Sequence, residues 1–84
     1  MDQWVEIECV VGNRRHPIRG ILEEQDLYMV RIRSPMILIH SSSSGSRWCS
    51  IPGVRRKTLN MRFVASVDEL LEGPSTAVHA QEEG

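Results

Sequence analysis

From Gln3 to Val11 the chain reads QWVEIECVV, with Val5, Ile7, Cys9 and Val11 alternating with Trp4, Glu6, Glu8 and Val10. A period of two with carboxylates on one side is the pattern of a strand buried on one face. Val and Ile dominate the apolar set, and their branched side chains favour a pleated sheet over a helix. The first element is therefore a strand, and the rest of the chain must supply strands to cover it.

Several segments read that way. Gly12-Asn13 opens a polar turn running through Arg14-Arg15-His16. Pro17 can begin a strand but not sit within a central one. Ile18 to Glu24 is the second strand, with Gly20 as a bend or a point of close approach. After a tight connection at Gln25-Asp26, Leu27 to Arg33 is the third: Tyr28, Val30 and Ile32 face one way, Met29, Arg31 and Arg33 the other. Pro35 lacks a ladder donor, so residues 27–40 are either one long strand kinked at Ser34-Pro35 or two strands meeting there. SSSSGS at 41–46 is a flexible link where a hairpin tip would lie. Arg47 to Ile51 returns as a strand, Pro52-Gly53 turns, and Thr58 to Ala65 is the last strand. Ser66 and Glu69 have capping-box spacing, which predicts a helical turn over 67–72, with a continuing strand as its rival. From Gly73 the composition turns small, polar and acidic, which predicts disorder.

The chain thus reads as all-β: a small five- to six-stranded, strongly bent antiparallel barrel over residues 1–72, with at most one short helical turn, and an acidic tail over 73–84. A two-sheet immunoglobulin sandwich needs about 100 residues and does not fit. At 84 residues a domain buries only roughly 60% of its unfolded surface, which leaves little volume for a deep cleft.

Net charge is −1, which argues against coating nucleic acid through bulk charge. The charges are nevertheless unevenly placed. All ten basic residues lie within 13–62, beside only Glu23, Glu24 and Asp26, and the other acids sit towards the two ends. Cys9 and Cys49 have no CxxC context, and the reading is two free thiols in a reducing cytoplasm. No apolar run approaches the ~20 residues that span a bilayer, so no membrane role is expected.

An enzyme is not expected either. His16, His40 and His79 are scattered, and no nucleophile–base motif, phosphate loop or HExxH is present. Cys9, Cys49, His16 and His40 lack the paired short spacing of a zinc site, so no metal or cofactor is expected. Binding is better supplied. Arg14-Arg15-His16 and Arg55-Arg56-Lys57 are compact basic clusters beside turns, and Arg47-Trp48 sets a cation next to a large ring. Basic residues beside aromatics suit single-stranded nucleic acid. Trp48 is either a stacking platform or core. Trp4 covers an end of the barrel or contacts a partner.

Residues 18–33, IRGILEEQDLYMVRIR, resemble the first motif of the Sm-like RNA-binding family, with Gly20, Leu22, Asp26 and Met29 at matching spacings. Asn60-Met61-Arg62-Phe63-Val64 is similar to the second motif, in which Ile-Arg-Gly precedes an apolar strand. The resemblance spans most of residues 4–68. It implies an Sm-like or SH3-like barrel and an RNA site keeping Asp26, Tyr28, Met29 and Arg62. The family's base-contacting asparagine falls on Val30 and its second-motif glycine on Phe63, which implies an altered pocket.

Two functions follow as expectations. One is a non-catalytic module binding RNA or single-stranded nucleic acid, with Arg14, Arg15, Arg47, Arg55, Arg56 and Lys57 on phosphates and Tyr28 or Trp48 stacking. The other is a protein-interaction or oligomerising module with no nucleic-acid role, using Trp4 and an exposed strand edge at Met36 to His40.

Overall fold

A computed structural model describes residues 2–73; the tail expected over 73–84 lies, apart from Gly73, outside the described residues, as does His79. Six strands alternate with tight turns: β1 (Trp4–Val11), β2 (Arg14–Gln25), β3 (Met29–Ser41), β4 (Gly45–Ser50), β5 (Arg56–Asn60) and β6 (Val64–Glu69). A single 3-10 turn, Met61–Phe63, joins β5 to β6. All pairings are antiparallel. The ladder runs β4-β3-β2-β1-β6, and β5 pairs with the first half of β3.

Side chains of alternate residues build the core. Val5 and Ile7 from β1, Ile18 from β2, and Val30 and Ile32 from β3 form one buried cluster. Each such side chain contributes roughly 1.5–3 kcal/mol. Leu59 of β5 and Val64 and Val67 of β6 pack against that same cluster. β5 and β6 hang from opposite ends of the ladder, so they reach one core only because the sheet curls into a small barrel. Among the described residues no ladder joins β5 to β6. The 3-10 turn bridges the gap, and Asn60 caps it by accepting the Arg62 N–H at 3.0 Å.

Gly20 lies at a register shift between β2 and β3, with no room for a side chain. A Cβ there would stand 2.7 Å from Ile32 Cδ1 and 3.1 Å from the Arg33 carbonyl oxygen, so only glycine fits. A second apolar group, Ile21, Met36 and Trp48, is buried outside the inner cluster. Trp4 is half-buried: its carbonyl accepts the Leu70 N–H at 2.8 Å, and Gly73 lies against its indole.

Three expectations are corrected, and the alternative left open at Ser34-Pro35 is decided for one kinked strand. Arg14-Arg15-His16 is strand, not turn, because Gly12 (φ +63°) and Asn13 complete a two-residue hairpin and Val11 pairs Arg14. Residues 29–41 are one strand, kinked at Ser34, whose φ is +52°. Thr58 to Ala65 is not one strand, because the Asn60 cap ends β5. The helical turn over 67–72 is absent. Ladder pairing of Glu6 with Asp68 and Val5 with Glu69 holds that segment as β6, outweighing a local cap signal.

Candidate binding groove

The β2–β3 ladder begins only at Ile18–Ile37, so residues 14–17 of β2 face no strand on that side. β5 pairs only with β3 and leaves its other edge open. Between these two edges lies an open groove of about 430 Å³. Cys9 and Val11 of β1 and His16 to Ile18 of β2 form one wall. Lys57 to Asn60 of β5 form the other, with Ile37 and Phe63 closing it. Cys9, Ile37 and Leu59 also pack on the core, so the groove is the open end of the barrel's apolar interior. Barrel mouths of this volume, mostly apolar with a few polar groups, are common binding sites.

The charges around the groove differ from those elsewhere. Arg19 pairs with Glu6, Arg31 with Glu24, Arg33 with Asp2 and Glu23, and Arg56 with Glu23. Among the described residues Arg14, Arg15, Arg47, Arg55, Lys57 and Arg62 have no such partner. Lys57 pairs in register with the fully buried Ile32, so its stem follows the inward face of β5 and its ammonium sits at the groove wall. Inside, burial pushes the Cys9 thiol up from its ordinary value, Lys57 opposes the shift, and Glu8 adds to it. No three His, Cys, Asp or Glu side chains gather into a metal-ligand cluster among the described residues.

The residues singled out from sequence separate into three sets. Gly20 and Leu22 serve the core. Trp48 is only 3% exposed, with the Arg19 guanidinium 4.3 Å from its ring centroid. Buried and covered, it offers no face for a base, which corrects the stacking reading. Arg56 is engaged by Glu23. The edge expected at Met36 to His40 is occupied on one side by β4, through pairs from Met36–Ser50 to His40–Ser46. On the β2 side Leu38 to His40 have no ladder partner among the described residues, because that pairing stops at Ile37; a second free edge, which borders the groove, belongs to β5.

Asp26, Tyr28 and Met29 come together, whereas the Arg62 guanidinium lies over the Phe63 ring, 5.9 Å from its centroid. The Asp26 carboxylate accepts the N–H groups of Tyr28 (2.7 Å) and Met29 (2.9 Å), setting the β2–β3 turn. The Met61 N–H reaches the Tyr28 carbonyl at 2.9 Å, tying the 3-10 turn to it. Tyr28 is 77% exposed there, beside Leu27 at 84%.

Sequence reasoning missed Phe63, Val11 and Leu59 as groove residues. Leu59, Met61 and Phe63 stay in period-two phase through the 3-10 turn, so the alternation conceals it. Asn60, a good cap, was the available signal.

No described helix is long and apolar enough to cross a membrane. Compared with family models, with curated proteins and with solved structures, the chain finds no match in any of the three.

Proposed function

We propose that this chain is a non-catalytic binding module whose ligand is a polypeptide, held at the groove between the β1–β2 hairpin and β5. The observation that carries this reading is an apolar groove continuous with the core, rimmed by the unpartnered Lys57. Desolvated apolar surface with a few charges at its edge suits a protein segment. A nucleic-acid surface needs cations in register with phosphates and a free ring. Among the described residues that line the groove only Lys57 is a Lys or Arg, four arginines elsewhere are engaged by carboxylates, and Trp48 is buried.

Parallel selections from random octapeptides displayed on phage and from a random single-stranded RNA pool test the reading. Peptides should be enriched, and Val11→Asp at the groove wall should abolish their binding. Enrichment of RNA alone, or peptide binding indifferent to Val11→Asp, would overturn it.

A second reading rests on the exposed Tyr28 at the β2–β3 turn, tied to the 3-10 turn that carries Arg62, where the Sm-like resemblance puts an RNA site. In it an unpaired base stacks on Tyr28 while Arg62 meets a phosphate. Its mark would be RNA binding that falls steeply with salt and is lost in Tyr28→Ala.

A further inference from the structure

The ladder fixes which backbone groups of β5 face the groove. The Met61 N–H bonds to the Tyr28 carbonyl, and the Ser34 N–H bonds to the Arg55 carbonyl, both at 2.9 Å. In an antiparallel pair the hydrogen-bonded positions alternate. Residues 57 and 59 therefore turn both their N–H and C=O towards β3, as Arg55 does its C=O and Met61 its N–H, while the Met61 C=O accepts the Val64 N–H. Arg56 and Thr58 turn both groups away, and Asn60 turns its N–H away. Among the described residues nothing takes up the Thr58 N–H or C=O, and Thr58 lines the groove. The side chains follow the complementary alternation. Lys57 and Leu59 pair with Ile32 and Val30 and face inward, whereas Thr58 pairs with Arg31 and its hydroxyl accepts from Arg31 Nε on the outer face.

On this pattern we infer that β5 receives an added strand: an extended segment of a partner protein hydrogen-bonds to Thr58 and places two side chains, two positions apart, into the groove. This rests on the polypeptide reading above and specifies its mode and chemistry. An added strand shares the period of the strand it joins. The side chain lying beside Leu59 meets that leucine within the apolar lining of the groove, and is apolar. The one beside Lys57 meets an ammonium with no carboxylate partner, and is acidic. The recognised segment is therefore an Asp or Glu separated by one residue from a Val, Ile or Leu. Lys57 selects against basic segments, because a second cation there would be held next to the first in a half-dry site.

The test uses the most strongly enriched octapeptide from the phage selection and the full chain. The enriched sequences should carry an acidic residue two positions from an aliphatic one. On binding, exchange of the Thr58 amide proton should slow, while the amides of 57 and 59, already bonded to β3, change little. Thr58→Pro removes the outward donor without touching the β3 ladder, a substitution an edge strand accommodates. It should weaken binding about tenfold, the equivalent of one backbone hydrogen bond. Lys57→Glu should weaken acidic peptides and admit basic ones. The Thr58 exchange measurement stands on the unmodified protein if the proline variant misfolds.

Peptides that bind and depend on Val11, yet leave Thr58 exchange unaltered and show no acidic–apolar spacing, would overturn strand addition while keeping the groove reading. Failure to enrich any peptide would overturn both. Self-association that protects Thr58 in the absence of peptide would overturn the inference in favour of a second copy of the chain.

Discussion

The two sides of β5 are built by opposite rules. Towards β3 the two strands are tied by paired groups: backbone groups bond across the ladder, Arg31 reaches Glu24 and Thr58, and Arg33 and Arg56 share Glu23. Towards the groove a cation, a row of backbone groups and an apolar wall are left without partners. A chain of this length has few side chains to spare, so leaving one flank unfinished concentrates the capacity to bind on that flank. The contrast also says where mutations should hurt. On the proposed function, stability belongs to the closed side and recognition to the open one.

Truncating one side chain on each flank should separate the two sides most strongly. Ile32 is fully buried in the inner cluster. Ile32→Ala should cost about 2–5 kcal/mol in urea unfolding. Leu59, half-buried and facing the groove, should cost about 1–2 kcal/mol when cut to Ala, since much of its surface already meets water. Equal losses would mean that the groove is core and not a site. Next in size is Gly20→Ala. Its new methyl meets Ile32 and the Arg33 carbonyl, both on the ordered β3, and should cost about 1–3 kcal/mol.

How far these features were legible in the sequence follows from which interactions are local. Alternation in β1 and the run from Val30 to Ile32 announced the buried face, because a half-buried strand writes its period into its residues. Gly20 was legible for the same reason: a glycine amid apolar residues has a backbone purpose. The groove was not legible. It exists because β2 enters the sheet four residues before its β3 partner does, and register between distant strands leaves no local mark. Ion pairing was hidden likewise. Glu23 reaches both Arg33 and Arg56, so a cluster that reads as free cations is partly neutralised by a residue more than thirty positions away. Trp48 beside Arg47 suggested a binding pair, yet the cation that covers its ring is Arg19.

Charge changes should give smaller and opposite effects on the two flanks. Glu23→Gln releases Arg56 and leaves Arg33 paired with Asp2 alone. Both lost pairs are substantially exposed, so the loss should stay below about 1 kcal/mol and shrink as salt rises. Lys57→Met removes a cation without a partner and extends the apolar wall, so stability should hold or rise by a few tenths of a kcal/mol, while binding of acidic peptides falls. A loss for Lys57→Met as large as that for Glu23→Gln would show that the lysine is a structural group after all.

The smallest effect reads the interior of the groove directly. Burial holds the Cys9 thiol above its ordinary value of 9.0, against the opposing charge of Lys57. Folded and unfolded chains both keep this thiol protonated at neutral pH, so it contributes no pH dependence there. As pH rises past the ordinary value the unfolded chain loses its proton first. The unfolded state then binds fewer protons than the folded one, and stability declines with pH until the folded thiol ionises too. Cys9→Ala should remove that alkaline slope from the urea midpoint and leave the slope due to other groups. Lys57→Met should steepen it, because the one influence favouring the thiolate is gone. A bound peptide that excludes water from the groove should act in the same direction as Lys57→Met, slowing alkylation of Cys9 at alkaline pH, whereas a ligand held at the Tyr28 turn should leave the thiol as it was.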